Sequence, residues 1–448
     1  MKTTITFLAL VLSASAYASP IVTKETIANQ KKATAAWKLK NGLDVIYRKL
    51  PGSPIVQVSI DFNYGRASAK PEYRGTIPLV FAAVTQSSAH LSKQAWEALL
   101  QKYSASAGCT DGIEISSCSL SVIKNYWSEV FENFFKVITA PSFKPFELEL
   151  QRSQLIASTK QKSFDPSFMA NQTVNSAFYT DNHPYYIPID KAVSQLQKVP
   201  VQTIKNIYHQ ARLSSGGVLT IVGDLDIKEL KSELAETFGK WKLKAKKKLN
   251  IQAPKYEKKS VFSLKDEKNP TAYLSIKMNG PGRNDTDYDA AMMMFRILSN
   301  ELSEEVRTRQ SLSYAIYSHL IDYTIGVGVI AASTSKPKET IKAIAEVLKK
   351  MKTKTYTKQE IELFRNVNAT RYFLTLEEHK NLSHALSVSQ IYYNDPNWLY
   401  DWPQRVEKVT GKDIKRVAKK YLKDFRAGVV FSKKDFRRSW LNPIIPKS

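Results

Sequence analysis

Short runs of alternating apolar and polar residues recur along this chain. Between them lie stretches whose apolar positions fall three and four apart. The first pattern predicts strands with one buried face, and the second predicts amphipathic helices. Strands are read at Asp44–Arg48, Val56–Asn63, Ser104–Cys109, Ile113–Val122 and Val218–Val222. They are read again at Ala272–Met278, Ser313–His319, Ile325–Ala332 and Gly428–Phe431. Thr357 with Glu360 and Thr410 with Asp413 read as capping boxes at helix starts, and Ser335 with Pro337 marks another start. Hairpins beside helical pairs point to an α+β fold, an antiparallel sheet with helices mainly on one side.

The pattern occurs twice. VSIDFNYGRASAKPEYRGTIPLVFAAV starts at Val58, and LSIKMNGPGRNDTDYDAAMMMFRIL starts at Leu274. Each gives a strand, a glycine-arginine turn, a tyrosine and an apolar helix. Later, VPVQTIKNIYHQARLSSGGVLTIVGDLD (from Val199) parallels VEKVTGKDIKRVAKKYLKDFRAGVVFSKKD (from Val406). Both offsets are a little over 200 residues. That is too long for a solenoid period and suits two homologous domains. A lysine-dense, apolar-poor stretch between the copies reads as a solvated linker. The organisation expected is a leader at 1–18, a first domain at 21–240, a basic linker at 241–259, a second domain at 260–435 and a tail at 436–448.

Composition narrows the setting. The chain has 448 residues, of which 43% are apolar, so it buries large cores. MKTTITFLALVLSASAYA has a basic start, a short apolar run and small residues before Ala18, as a signal peptide does. No other run reaches the roughly 18 apolar residues of a membrane span. A periplasmic or secreted location is expected. The net charge of +25 favours anionic partners, such as an acidic peptide or an anionic surface. Export and the lack of an aromatic-basic motif argue against nucleic acid. Two cysteines remain, Cys109 and Cys118. An oxidising compartment favours pairing them. A hairpin turning at Asp111-Gly112 argues against it, because Cys109 then faces Ile113 and Cys118 lies beyond reach. The six histidines, His90, His183, His209, His319, His379 and His384, offer no pair at ligand spacing, so no zinc site is expected in this chain. His183, in an Asn-His-Pro-Tyr loop, reads as structural.

NGLDVIYRKLPGSPIVQVSI, DNHPYYIPID, VLTIVGDLD and VRTRQSLSYAIYS, in this order, resemble the insulinase/pitrilysin-like (inverzincin) zinc peptidases, and most closely their exported bacterial branch. The resemblance covers nearly the whole mature chain. It implies two homologous α+β domains forming a bowl-shaped half-chamber. It also implies a zinc helix carrying His-x-x-Glu-His, with a glutamate ligand downstream. Here RGTIPLVFAAVTQ (Arg74–Gln86) puts Pro78 and Ala82 at the histidine positions and Phe81 at the position of the general base. Counting the family's spacing, and counting back from SFDP, both place the last ligand at Ser158. None can replace the lost function, which makes this a degenerate zinc site.

A second family element is an arginine followed seven residues on by a tyrosine. Arg307 and Tyr314 stand at that spacing, although Ser311 replaces the family's usual glycine. A guanidinium and a phenol suit stabilisation of the oxyanion formed in peptide hydrolysis. Taken without the family's order, the same residues read as a solvated helix end and a packed tyrosine. The resemblance therefore implies a non-zinc subunit of a heterodimeric endopeptidase. It would be inactive alone, would act in trans on unfolded peptides, and would pair with a homologous subunit that carries the zinc. Two other readings stay open: an inert peptide-holding scaffold, and a basic envelope-surface binder using the linker lysines. A self-sufficient zinc peptidase ranks last.

Overall fold

The computed structural model describes residues 24–213, 217–243, 251–254, 261–264, 270–431 and 436–445. The expected leader and most of the 241–259 linker lie outside these residues. The fold is α+β, as the patterning predicts. The first sheet comprises β1 (Thr34–Lys38), β2 (Asp44–Lys49), β3 (Ile55–Phe62), β4 (Ser106–Thr110), β5 (Ser116–Ile123) and β6 (Val218–Gly223), in the order β1-β2-β6-β3-β5-β4. The second comprises β7 (Val261–Leu264), β8 (Ala272–Gly280), β9 (Ala315–Asp322), β10 (Gly326–Thr334) and β11 (Arg426–Phe431), in the order β7-β11-β8-β10-β9.

Without β1, the two orders are the same. In each sheet the first two strands of that shared order pair in parallel (β2 with β6, β7 with β11) and the rest are antiparallel. The duplication read in the sequence is thus repeated in the topology.

Each sheet has a helix-covered core face. In the first, Val58 and Ile60 of β3, Leu120 of β5 and Leu219 and Ile221 of β6 meet the helices Ile77–Val84, Trp127–Thr139 and Val201–Leu213. In the second, Leu274, Ile276 and Met278 of β8 meet Tyr288–Leu302 and Gly411–Tyr421. On the opposite faces the two halves exchange helices. Pro166–Phe178, from the first half, packs on β11 and β8. His379–Tyr393, from the second half, packs on β6 and β3. Gly428 allows the first of these contacts, since a Cβ there would lie 2.3 Å from the Ala170 carbonyl oxygen. In the second contact, the buried hydroxyls of Thr220 and Ser387 are 2.7 Å apart.

The β4–β5 connection corrects one expectation. The chain does not turn at Asp111-Gly112 with Cys109 opposite Ile113. Five residues separate the strands, and Cys109 stands directly opposite Cys118, with Cα atoms 4.0 Å apart and a disulfide between them. The intervening loop bonds elsewhere: Arg66 N donates to Gly112 O (2.9 Å) and Ala67 N to Ile113 O (2.8 Å). Gly65 permits that approach, since a Cβ there would sit 2.5 Å from Ile113 O.

Candidate functional site

The Ile77–Val84 helix is apolar throughout and packs against the Pro145–Lys162 helix, which carries Ser158. Proline at 78 is tolerated because the first helical turn has no intrahelical use for that amide hydrogen. Pro78 and Ala82 are half-buried. Phe81 is fully buried, its ring centroid 5.7 Å from Phe62 and 6.2 Å from Tyr208. The Ser158 hydroxyl donates to Leu155 O of its own helix at 3.0 Å. These residues do not fit a divalent ion: three have no side-chain donor atom and the fourth bonds to its own backbone. Among the described residues, no three of His, Cys, Asp and Glu come together in a way that could hold a metal.

Arg307 and Tyr314 do come together. Arg307 sits on a π-helical turn, Ser303–Arg309, that extends the Tyr288–Leu302 helix. Such turns widen the helix and often occur at functional sites. Its guanidinium carbon lies 5.4 Å from the centre of the Tyr314 ring. Tyr314 is 84% exposed, immediately before β9. Arg309, rather than Arg307, takes the neighbouring acids, pairing with Glu304 at 3.2 Å and Glu305 at 3.5 Å. Arg307 makes no ion pair with a described residue, and the Tyr314 hydroxyl has no hydrogen-bond partner among them. A cation and a phenol, both facing solvent, are therefore free to receive an anionic oxygen.

The connection between them is held firmly. Ser311 adopts φ 49°, the left-handed conformation that glycine takes without strain. Serine here thus holds a backbone conformation that ordinarily favours glycine. Thr334 donates its hydroxyl to Leu312 O (2.6 Å), and Ser313 donates to Ser333 O (2.7 Å), fixing the approach to β9.

Two buried polar features had no signal in local sequence. Glu114 is buried, accepts the phenol hydrogens of Tyr185 and Tyr392, and lies 3.1 Å from the Thr324 amide nitrogen, so it ties the two halves together. Burial is the main reason the Tyr185 and Tyr392 phenols are pushed well above their ordinary range. Lys277 of β8 is buried and donates to Asn175 of the exchanged Pro166–Phe178 helix. Desolvation pulls its pKa down to about 8. His183 is structural, as expected: Nε2 lies 3.1 Å from Gln252 O, and Nδ1 accepts from the Tyr185 amide at 3.2 Å. Burial lowers its pKa, in keeping with a neutral ring.

Residues 198–368 match the family model of the peptidase M16 inactive domain. That segment, well under half of the chain, is thus similar to this family. It contains the whole Arg307–Tyr314 element and agrees with the resemblance drawn from the sequence. Beyond it, the chain is 20% identical over 402 residues to the non-peptidase homolog YmxG of Helicobacter pylori, covering 85% of this chain and 88% of that one. The fold is shared with a peptidase M16 inactive domain from Pseudomonas fluorescens, with a TM-score of 0.80, 18% identity, and 89% of this chain and 97% of that chain covered. It is shared also with the periplasmic protease PqqL from Escherichia coli, with a TM-score of 0.74 and 19% identity, over 90% of this chain and 46% of that one. No helix of the described residues is long and apolar enough to cross a membrane.

Proposed function

We propose that this chain is the zinc-free subunit of an exported two-chain endopeptidase. It would present Arg307 and Tyr314 to a peptide held against the zinc of a homologous partner. One observation carries this reading: Arg307 and Tyr314, at the spacing expected of the family's second catalytic pair, are exposed and engage each other but form no ion pair or hydrogen bond with another described side chain, while the helix at the expected zinc position packs as apolar core. In the assembled pair, the Arg307 guanidinium holds a peptide carbonyl and the Tyr314 hydroxyl donates to the oxygen as it gains negative charge. Alone, the chain does not cleave peptides. The similarity to a relative described as a non-peptidase supports that expectation.

The test needs a partner, an exported chain with an intact His-x-x-Glu-His. Peptide turnover is measured for each chain alone and for the two mixed. Tyr314→Phe in the mixture is expected to lower kcat/KM roughly 10²-fold, the usual cost of losing one oxyanion donor. Unchanged turnover would favour an inert scaffold that only holds peptides.

A further inference from the structure

A cavity of about 490 Å³ lies where the Tyr288–Leu302, Lys358–Leu376 and His379–Tyr393 helices meet the free edge of β9. Arg296 and Arg371 line it, with Ser299, Asn300 and Asn368, and no aspartate or glutamate does. Arg296 lies over the Trp402 ring (5.2 Å) and donates to Asn368 Oδ1 (3.1 Å). Neither arginine forms an ion pair with a described residue. An acid whose charge acts on Arg296, Asp322, is already taken by Arg283 at 3.0 Å and by the Tyr288 hydroxyl. Burial, with the positive charge of Arg371 adding to it, holds the Arg296 guanidinium below its ordinary value. Two like charges beside amide and hydroxyl donors, without a counter-ion, make a receptor for an oxyanion.

The cavity's position suggests which oxyanion. Ser318 of β9 also lines it, and stands four positions after Tyr314 on the same stretch of chain. An extended peptide covers that distance, roughly 13 Å, with four residues. From these features, and resting on the peptide-handling role above, we infer that the cavity binds the terminal carboxylate of an extended peptide running along β9. Arg371, exposed at the rim, and Arg296, deeper inside, would grip the two oxygens. Substrates would then be measured from their ends as well as held at the bond to be broken.

The test uses the single full chain and fluorescence anisotropy of a labelled, unstructured octapeptide. One version ends in a free carboxylate and the other in an amide. The acid is expected to bind at least roughly ten-fold tighter, since charge-assisted bonds to two arginines are lost in the amide. Arg371→Gln should bring the acid down to the amide's affinity, and Arg296→Lys should weaken it while keeping the charge. Lys342→Gln, a surface charge on another helix, should change neither. Equal binding of acid and amide would overturn the inference, as would an unaffected Arg371→Gln. So would inorganic phosphate bound in an Arg371-dependent way that the acid peptide cannot displace. Because the readout is binding by one chain, failure here is distinct from a failed turnover test at Tyr314.

Discussion

Lys277 holds a charge that its surroundings disfavour, and this makes stability depend on pH in a predictable direction. In the unfolded chain the amine stays protonated up to about pH 10.5, whereas in the fold it releases its proton near pH 8. Between those values the unfolded state binds more protons, so this group makes stability rise with pH. Below pH 8 the full desolvation cost is present. Lys277→Met removes the titration. Denaturant unfolding at pH 7.5 and 9.5 should show the difference between wild type and variant shifting by about 2 kcal/mol, with wild type gaining at the higher pH. A constant difference would mean the amine stays protonated in the fold. Ser311 is a second residue-scale cost, held at φ 49°. Ser311→Gly should raise stability by up to about 1 kcal/mol, the strain relieved exceeding the extra freedom of the unfolded chain. The midpoint of urea unfolding reads it.

At the scale of elements, strands were legible wherever one face is apolar and the other is not. β5 shows this clearly, with Cys118, Leu120 and Val122 on the core side alternating with Ser117, Ser119 and Ser121. β1 escaped because its TAAWK run lies at a sheet edge with little burial. The β4–β5 register escaped for a different reason. The bonds that pull residues 112–113 out of the ladder come from Arg66 and Ala67, far away in sequence. A local pattern carries no trace of them, so Cys109 was placed out of reach of its partner. The disulfide they form closes a short loop, and replacing both cysteines with alanine should cost about 2–3 kcal/mol. Thermal unfolding should show the loss, and hydrogen exchange should show β4, the edge strand, opening first. The candidate site was readable as spacing between Arg307 and Tyr314, but the π-helical turn that carries Arg307 has no sequence signature. The Arg296–Arg371 cavity was invisible as well, because three helices and one strand assemble it.

At the scale of the molecule, the helix exchange makes the two halves interdependent. Each sheet has one face that only the other half can cover. Fragments made separately, divided within the 241–259 linker, should be insoluble or partly unfolded. Made together, they should copurify and show the intact chain's circular dichroism. Soluble, independently folded fragments would contradict the exchange. The covalent link matters less than the mutual covering, so nicking the linker should leave a complex that migrates as one species in gel filtration. The repeated strand order was foreshadowed by two matching segment pairs in the sequence. The exchange was not, since nothing in residues 166–178 or 379–393 indicates which sheet they cover.

The exchanged helix at the far end also sets a timetable for a nascent chain. β6 completes the first sheet at Gly223, but the helix that shields its outer surface ends at Tyr393, roughly 170 residues later. A ribosome takes roughly 10–30 s to add that much polypeptide. A first half that folded in that interval would be a finished sheet with a bare side. On the exported reading proposed above, holding the chain unfolded until its last third is present avoids that exposure.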